Sequence, residues 1–123
     1  MLTSKDLMIG DWYAFRGHPY KCTASDIASI AECEGEGVPT DISEIPLTVE
    51  ILKKNFQEFL PGINLMYQLK GPYCAMNEDG QWVFGLVKVD GEKSARYPLV
   101  KISFVHELQH ALRLCGITKE IQI

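Results

Sequence analysis

The chain has few of the residues and patterns that would assign a function class directly. Its 123 residues include only three histidines and four cysteines. No two cysteines have the C-x-x-C spacing of a zinc ribbon or a dithiol redox centre, which argues against both classes of site. No run of residues approaches the roughly 20 apolar positions that a membrane helix needs. We therefore expect no membrane association.

The first residues carry no apolar run of the kind that directs secretion. Met-Leu-Thr-Ser-Lys-Asp is too polar for the hydrophobic part of a signal peptide. We therefore expect a cytoplasmic protein, in which thiols stay reduced. The four cysteines are then interpreted mainly as core residues: Cys22, Cys33, Cys74 and Cys115.

Basic residues are too few and too scattered for a dedicated nucleic-acid surface. Twelve Lys and Arg stand against sixteen Asp and Glu, for a net charge of −4. Such surfaces neutralise phosphates with clustered basic residues, so we expect no nucleic-acid partner. A weaker alternative is that the aromatic residues Trp12, Tyr13 and Trp82 stack on single-stranded nucleic acid.

Composition and patterning predict one globular domain, 1–123, with a single core. Hydrophobic residues make up 46% of the chain and charged residues 23%, which suits a folded domain of this size. No internal repeat or low-complexity segment suggests a linker.

Turn residues divide the chain into α-helices and β-strands. Aromatic residues on both sides of Arg16-Gly17-His18-Pro19 predict a β-hairpin whose turn holds His18. Residues 27–33 resemble a third strand, and 34–39 a loop. Thr48 is a good N-cap for a helix ending at Pro61-Gly62.

The second half predicts a meander of strands followed by one more helix. Strands are expected over 65–70, 73–76, 81–89 and 96–102, with 81–89 central because both of its faces carry apolar residues. A helix follows over 104–115, and Ile121 and Ile123 alternate like a short strand. The fold class is α+β: a curved, mostly antiparallel sheet, or a small partly open barrel, with two packed helices.

The final helix contains His-Glu-Leu-Gln-His at 106–110, which matches the H-E-x-x-H pattern of zinc peptidases. Residues four apart share a helix face, so His106 and His110 could hold zinc while Glu107 activates a bound water. The apolar stripe through Leu108 and Leu112 points the other way, which predicts that both histidines are accessible.

Three observations oppose a zinc site. A catalytic site needs a third protein ligand, and the motif lacks the downstream G-x-x-H extension. Upstream donors such as Asp11, His18 or Cys22 would give an unusual chain order. Arg113, three residues after His110, would place a positive charge beside the metal. We therefore predict no cofactor, no metal ligand and no catalytic residue.

Three segments resemble a group of short uncharacterised proteins encoded in Bacteroides-type bacterial genomes and in their phages or mobile elements. They are D-L-M-I-G-D-W at 6–12, E-I-P-L-T-V-E-I-L at 44–52 and V-H-E-L-Q-H at 105–110. Members of this group often read V-H-Q-L-Q-N at the last segment. The resemblance implies that the H-E-x-x-H match is incidental, and it assigns no activity.

The sequence therefore predicts a small cytosolic binding or accessory module with no chemistry of its own, of phage or mobile-element origin. The expected partner is another protein or a second copy of the chain. Trp12 and Tyr13, which lie on opposite faces of the first hairpin, are the candidate partner surface. The alternative is a compact zinc-dependent hydrolase that uses His106, Glu107 and His110.

Overall fold

The structure is a computed structural model that describes residues 1–59, 62 and 65–123, with the backbone but not the side chain of Val89. Within these residues it contains a short 3-10 turn, three α-helices and eight strands. In chain order they are β1 (Trp12–Phe15), β2 (His18–Lys21), α1 (Ala24–Glu36), β3 (Ile42–Ser43), α2 (Val49–Asn55), β4 (Gln57–Glu58), β5 (Met66–Lys70), β6 (Tyr73–Glu78), β7 (Gln81–Asp90), β8 (Lys93–Lys101) and α3 (Val105–Leu114).

The strands form two antiparallel sheets, in the orders β2-β1-β3 and β4-β5-β6-β7-β8. In the part of the chain that the structure describes, neither sheet closes into a barrel. The predicted α+β class with a curved antiparallel sheet is confirmed, although the described residues form three α-helices instead of two. None of the helices in the described ranges is long and apolar enough to cross a membrane.

The chain divides into two compact units. Unit 1 comprises Met1–Pro46 and Phe104–His106, and unit 2 comprises Leu47–Ser103 and Glu107–Ile123. Each unit holds one of the two sheets. The single domain expected over 1–123 stays a prediction.

Unit 1 contains the predicted hairpin, formed by β1 and β2, after a 3-10 turn at Ser4–Asp6. Arg16 and Gly17 form its two-residue loop with φ of 51° and 82°, the positive values that a type I′ turn needs at both positions. Tyr13 pairs with Tyr20 across the strands. Because side chains alternate along a strand, Tyr13, Phe15 and Tyr20 share one face. This set is called the aromatic face below.

Helix α1 occupies residues that were predicted as a strand at 27–33, and that prediction was wrong. The Thr23 hydroxyl accepts a hydrogen bond from the Asp26 N–H at 3.1 Å, and the Asp26 carboxylate accepts one from the Thr23 N–H at 3.0 Å. This capping box starts the helix, and Gly37 ends it with φ of 73°. Local capping outweighs the strand preference of the isoleucines, so the loop predicted over 34–39 begins three residues later.

The core of unit 1 lies between α1 and the aromatic face. Its buried members are Leu2, Leu7, Tyr13, Cys22 and Ile30, with Phe15, Ile27 and Ile42 packed against them. Asp11 is also fully buried, and its carboxylate accepts a hydrogen bond from the Met8 N–H at 2.8 Å. A buried carboxylate is stable only with such donors.

In unit 2, β7 lies between β6 and β8, so it is an interior strand as its two apolar faces predicted, although β6 is the middle strand of the five. Trp82 and Phe84 are buried on one of its faces, with the ring of Tyr67 5.9 Å from that of Trp82. On the other face, Cys74, Met76 and Val87 form a second apolar cluster. Both faces of the sheet are therefore buried near its centre.

Strand β8 approaches β7 very closely at Gly85. The register shifts between Phe84 and Gly85, which then pairs with Pro98. A Cβ atom on Gly85 would lie only 2.5 Å from both the Tyr97 carbonyl oxygen and Met76 Cε. Gly85 is thus needed for close approach of two backbones at a bulge.

Helix α2 is shorter than predicted. It ends at Asn55 because Phe56 is extended, with φ of −137°, and leads into β4. The predicted end of this helix at Pro61-Gly62 was therefore wrong; Pro61 itself lies outside the described residues. The segment around Ile121 is not a strand. Instead, the Asn55 amide donates to the Gln122 carbonyl oxygen and accepts from the Gln122 N–H, both at 2.7 Å.

Candidate ligand-binding cleft

The H-E-x-x-H segment lies in α3, whose burial differs from the prediction in one respect. Leu108 and Leu112 are buried as expected, with 0% and 1% of their surface exposed. His106 is only 7% exposed, so the prediction that both histidines are accessible was wrong for it. Its ring stacks on Phe104 at a centroid distance of 6.1 Å. His110 is half-buried. The buried part of this helix is wider than the stripe of apolar residues.

Glu107 makes a hydrogen bond that gives its carboxylate a structural role. One oxygen of its carboxylate accepts a hydrogen bond from the Ser103 N–H at 2.8 Å. Ser103 is held in turn by the Gln81 amide, which donates to the Ser103 hydroxyl at 3.0 Å. A carboxylate in the first helical turn satisfies exposed N–H groups and is favoured by the helix dipole. Glu107 therefore stabilises the start of α3.

Among residues 1–59, 62 and 65–123, no group of three or more His, Cys, Asp and Glu side chains is arranged to hold a metal ion. Of the upstream donors considered above, Asp11 and Cys22 are buried in unit 1. His18 is exposed and lies in β2, not in the turn as predicted. The absence of a metal cofactor stays a prediction.

We expect protein purified without a histidine tag to contain far less than one zinc per chain. The physical reason is that two imidazoles alone leave a zinc ion short of the three protein ligands of a catalytic site. Elemental analysis after dialysis measures this directly, and His110→Ala is the matched variant. One tightly held zinc per chain that is lost in His110→Ala would contradict the prediction and favour the hydrolase.

The aromatic residues proposed as an interaction surface have different environments. Trp12 is half-buried, and the Lys21 ammonium lies 5.5 Å from the centroid of its ring. Tyr13 is 7% exposed, so it offers little area to a protein partner. Trp82 is 6% exposed in unit 2, which leaves no free ring face for a nucleic-acid base. Whether Trp12 contacts a partner stays a prediction.

A cleft of about 550 Å³ lies against the aromatic face in unit 1. Helix α1 forms a second wall, and the segment that leads into β3 forms a third. The lining residues are Tyr13, Phe15, Arg16, Tyr20, Asp26, Ser29, Ile30, Cys33, Pro39, Thr40, Asp41 and Ile42. This volume falls within the range of about 300–1,000 Å³ that is typical of small-molecule sites.

The rings of the aromatic face contact one another in a row. The Tyr20 ring lies 6.2 Å from that of Tyr13 and 6.4 Å from that of Phe15, tilted and edge-on respectively. These are favourable aromatic geometries, and they hold the three side chains in place before any ligand arrives. Tyr20 remains 46% exposed, so part of the face is open to solvent.

An ion pair lies at the rim of the cleft. Arg16 Nε is 3.5 Å from Asp41 Oδ2, and the Arg16 N–H donates to the Asp41 carbonyl oxygen at 3.1 Å. The Arg16 guanidinium also lies 5.0 Å from the centroid of the Phe15 ring, within cation–π range. The side chain of Arg16 is 71% exposed, so the pair is solvated and contributes little to stability.

Tyr13 reports the electrostatic environment inside the cleft. Its burial, followed by the negative charge of Asp26 and a hydrogen bond with that carboxylate, raises the pKa of Tyr13 to about 12. A neighbouring anion disfavours ionisation of a phenol. Tyr13 therefore stays a neutral hydrogen-bonding group at physiological pH, beside the negative charge of Asp26.

Tyr13→Phe is expected to reduce the loss of stability at alkaline pH. The raised pKa of Tyr13 favours the folded state below about pH 10, and this contribution is lost as the pH rises from about 10 to about 12. Its size is on the order of 2 kcal/mol. Burial also raises the pKa of Cys74, to about 11. Ionisation of this thiol lowers stability at alkaline pH in the unmodified protein and in Tyr13→Phe alike.

The measurement is the free energy of unfolding of the protein and of Tyr13→Phe between pH 9 and pH 12. The protein should lose more free energy than the variant above pH 10. Parallel curves would show that the ionisation of Tyr13 is not coupled to folding.

The sequence arguments missed the α1 wall of the cleft, which includes Asp26, Ser29 and Cys33. A signal was present: Thr23 and Asp26 have capping-box spacing, and Gly37 stands where a helix would end. The spacing of the three wall residues at i, i+3 and i+7 then places them on one helix face. Residues 39–42, which form another wall of the cleft, have no comparable capping or spacing pattern in the sequence that would predict their position.

No protein family, no curated protein and no solved structure matches the chain.

Proposed function

We propose that this chain is a small cytoplasmic binding module that holds a ligand in the cleft of unit 1 and has no catalytic machinery of its own. The observation that carries the proposal is the cleft itself, in which a pre-arranged aromatic face meets a rim of ionised side chains. Mostly apolar lining with a few convergent polar groups is the usual composition of a ligand site.

Two features support binding over chemistry. The cleft lacks a nucleophile paired with a base among its described lining residues, since Ser29 and Cys33 lie on a wall without histidine. On α3, the Glu107 carboxylate is bonded to the Ser103 N–H and His106 is buried. The hydrogen bond of Glu107 and the burial of His106 both favour a structural role for the H-E-x-x-H helix over the hydrolase alternative.

The resemblance to proteins of Bacteroides-type bacteria and their phages or mobile elements is compatible with an accessory role of this kind. If the group that occupies the cleft belongs to another protein, the cleft is also the site of the expected protein partner. Self-association through Trp12 would use the opposite face of the hairpin, so it is a separate proposal that sedimentation of Trp12→Ala would test.

Filling the cleft should abolish binding of small aromatic fragments. Ser29 lines the cleft and is exposed, so Ser29→Trp can place an indole in the cavity without disturbing the core. Ala31→Trp is the matched control, because Ala31 is an exposed α1 residue outside the lining. Ligand-observed saturation-transfer NMR with cationic, neutral and anionic phenyl fragments measures binding.

We expect at least one fragment to bind the protein and Ala31→Trp, and none to bind Ser29→Trp. Absence of binding to the unmodified protein, or equal binding to both tryptophan variants, would overturn the proposed site.

A further inference from the structure

We propose that the cleft of unit 1 selects an organic cation, an ammonium or guanidinium group carried on an apolar body, and that Arg16 occupies this position when no ligand is present. The inference rests on the proposed function, because it names the class of ligand that the cleft would bind. Three observations support it: the charge balance of the lining, the contacts of Arg16, and the solvent exposure of the Arg16–Asp41 ion pair.

The first observation is the charge balance. Among the described residues that line the cleft, Asp26 and Asp41 are carboxylates and Arg16 is the only cation. One negative charge is therefore left over. Asp26 is half-buried at the wall beside Tyr13, where a charge is screened less than at the surface. An anionic ligand would meet repulsion there, whereas a cation would be attracted.

The second observation is that a cation already uses this surface. The Arg16 guanidinium lies 5.0 Å from the centre of the Phe15 ring while its Nε is 3.5 Å from the Asp41 carboxylate. An aromatic ring beside a carboxylate is a favourable environment for ammonium and guanidinium groups. The contact of Arg16 thus shows that the Phe15 ring and the Asp41 carboxylate together bind a guanidinium cation.

The third observation is that the Arg16–Asp41 ion pair is exposed to solvent. The side chain of Arg16 is 71% exposed and that of Asp41 is 50% exposed. Exposed ion pairs contribute little to stability, so a ligand can displace Arg16 at low cost. A ligand that buries a phenyl or alkyl body against Tyr20 and Phe15 gains more from apolar contact than the displaced arginine loses. Arg16 is then a competitor for the site and not an anchor for the ligand.

This competition gives an unusual expected result. Arg16→Gln keeps much of the side-chain length but removes the competing charge, so 2-phenylethylammonium should bind the variant about 3- to 10-fold more tightly than the unmodified protein. If Arg16 anchored an anion instead, the same variant should lose affinity for 3-phenylpropanoate. Isothermal titration of both probes, with neutral 3-phenylpropanamide as reference, separates the two possibilities.

Asp26→Asn tests the attracting charge. The Asp26 carboxylate accepts a hydrogen bond from the Thr23 N–H at 3.0 Å. The amide oxygen of an asparagine can accept the same hydrogen bond, so α1 should remain capped. Affinity for 2-phenylethylammonium should fall about fivefold or more, in line with one lost charge interaction of about 1 kcal/mol. Glu32→Gln is the control, because Glu32 is exposed on α1 outside the cleft lining and its loss should leave affinity unchanged.

A capped Phe-Lys dipeptide distinguishes a protein-borne cation from a free amine. Tighter binding of the dipeptide than of 2-phenylethylammonium supports a lysine side chain of a partner protein as the source, and tighter binding of the amine supports a small molecule. Equal or stronger binding of 3-phenylpropanoate, or weaker binding of the cation to Arg16→Gln, overturns the inference while the cleft remains a binding site. Failure of fragments of every charge overturns the proposed function as well.

Discussion

Leu108→Ala is expected to lower the free energy of unfolding by about 2–5 kcal/mol, the usual cost of truncating a fully buried leucine. Leu108 lies in the middle of α3 and none of its surface is exposed. The loss has two parts, the transfer of the removed methyl groups and the cavity they leave behind. Urea denaturation followed by circular dichroism measures it.

Leu114→Ala in the same helix is a matched control. Leu114 is 89% exposed, so the same chemical change should cost less than about 1 kcal/mol, because alanine has a favourable helix propensity and little apolar contact is lost. Similar losses for the two variants would mean that α3 does not pack through the Leu108 side.

Gly85→Ala is expected to destabilise the protein by about 1–3 kcal/mol or more, as for other overpacked positions. The added Cβ would lie 2.5 Å from the Tyr97 carbonyl oxygen and 2.5 Å from Met76 Cε. The Met76 side chain can move its end, but the Tyr97 oxygen belongs to the backbone of β8. Relief therefore requires a shift of a whole strand.

In the control variant the free energy of unfolding is expected to change in the opposite direction. Gly35 lies within α1, and a Cβ there would meet no atom within 4 Å. Gly35→Ala should therefore stabilise the protein by up to about 1 kcal/mol, because alanine is a much better helix residue than glycine. Thermal and urea denaturation of both variants test the pair, and a neutral Gly85→Ala would contradict the close approach of β7 and β8.

The elements that were predicted correctly carry strong local signals. The hairpin at Arg16-Gly17, the strands on either side of Asp79-Gly80 and the helix ended by Gly116 follow from turn and capping residues close in sequence. Helix α1 carried such a signal too, in Thr23 and Asp26. Its isoleucines favour a strand, but the capping box fixes the first turn of the helix directly.

The candidate site was harder to predict because it is not local. The H-E-x-x-H pattern at 106–110 stands out in the sequence, yet the burial of His106 depends on packing around α3 that a helical wheel does not contain. The cleft requires residues from 13–20, 26–33 and 39–42 to meet. Nothing in any one of these segments identifies a binding site, and only their arrangement in space does.

Chemical-shift mapping with the strongest-binding phenyl fragment tests the central claim most directly. In ¹H–¹⁵N spectra of the protein, the cleft account predicts the largest shifts at amides of the lining, such as Tyr20, Ser29 and Thr40. Shifts centred instead on His110 and Arg113, with the cleft amides unmoved, would contradict it and place the functional site on α3.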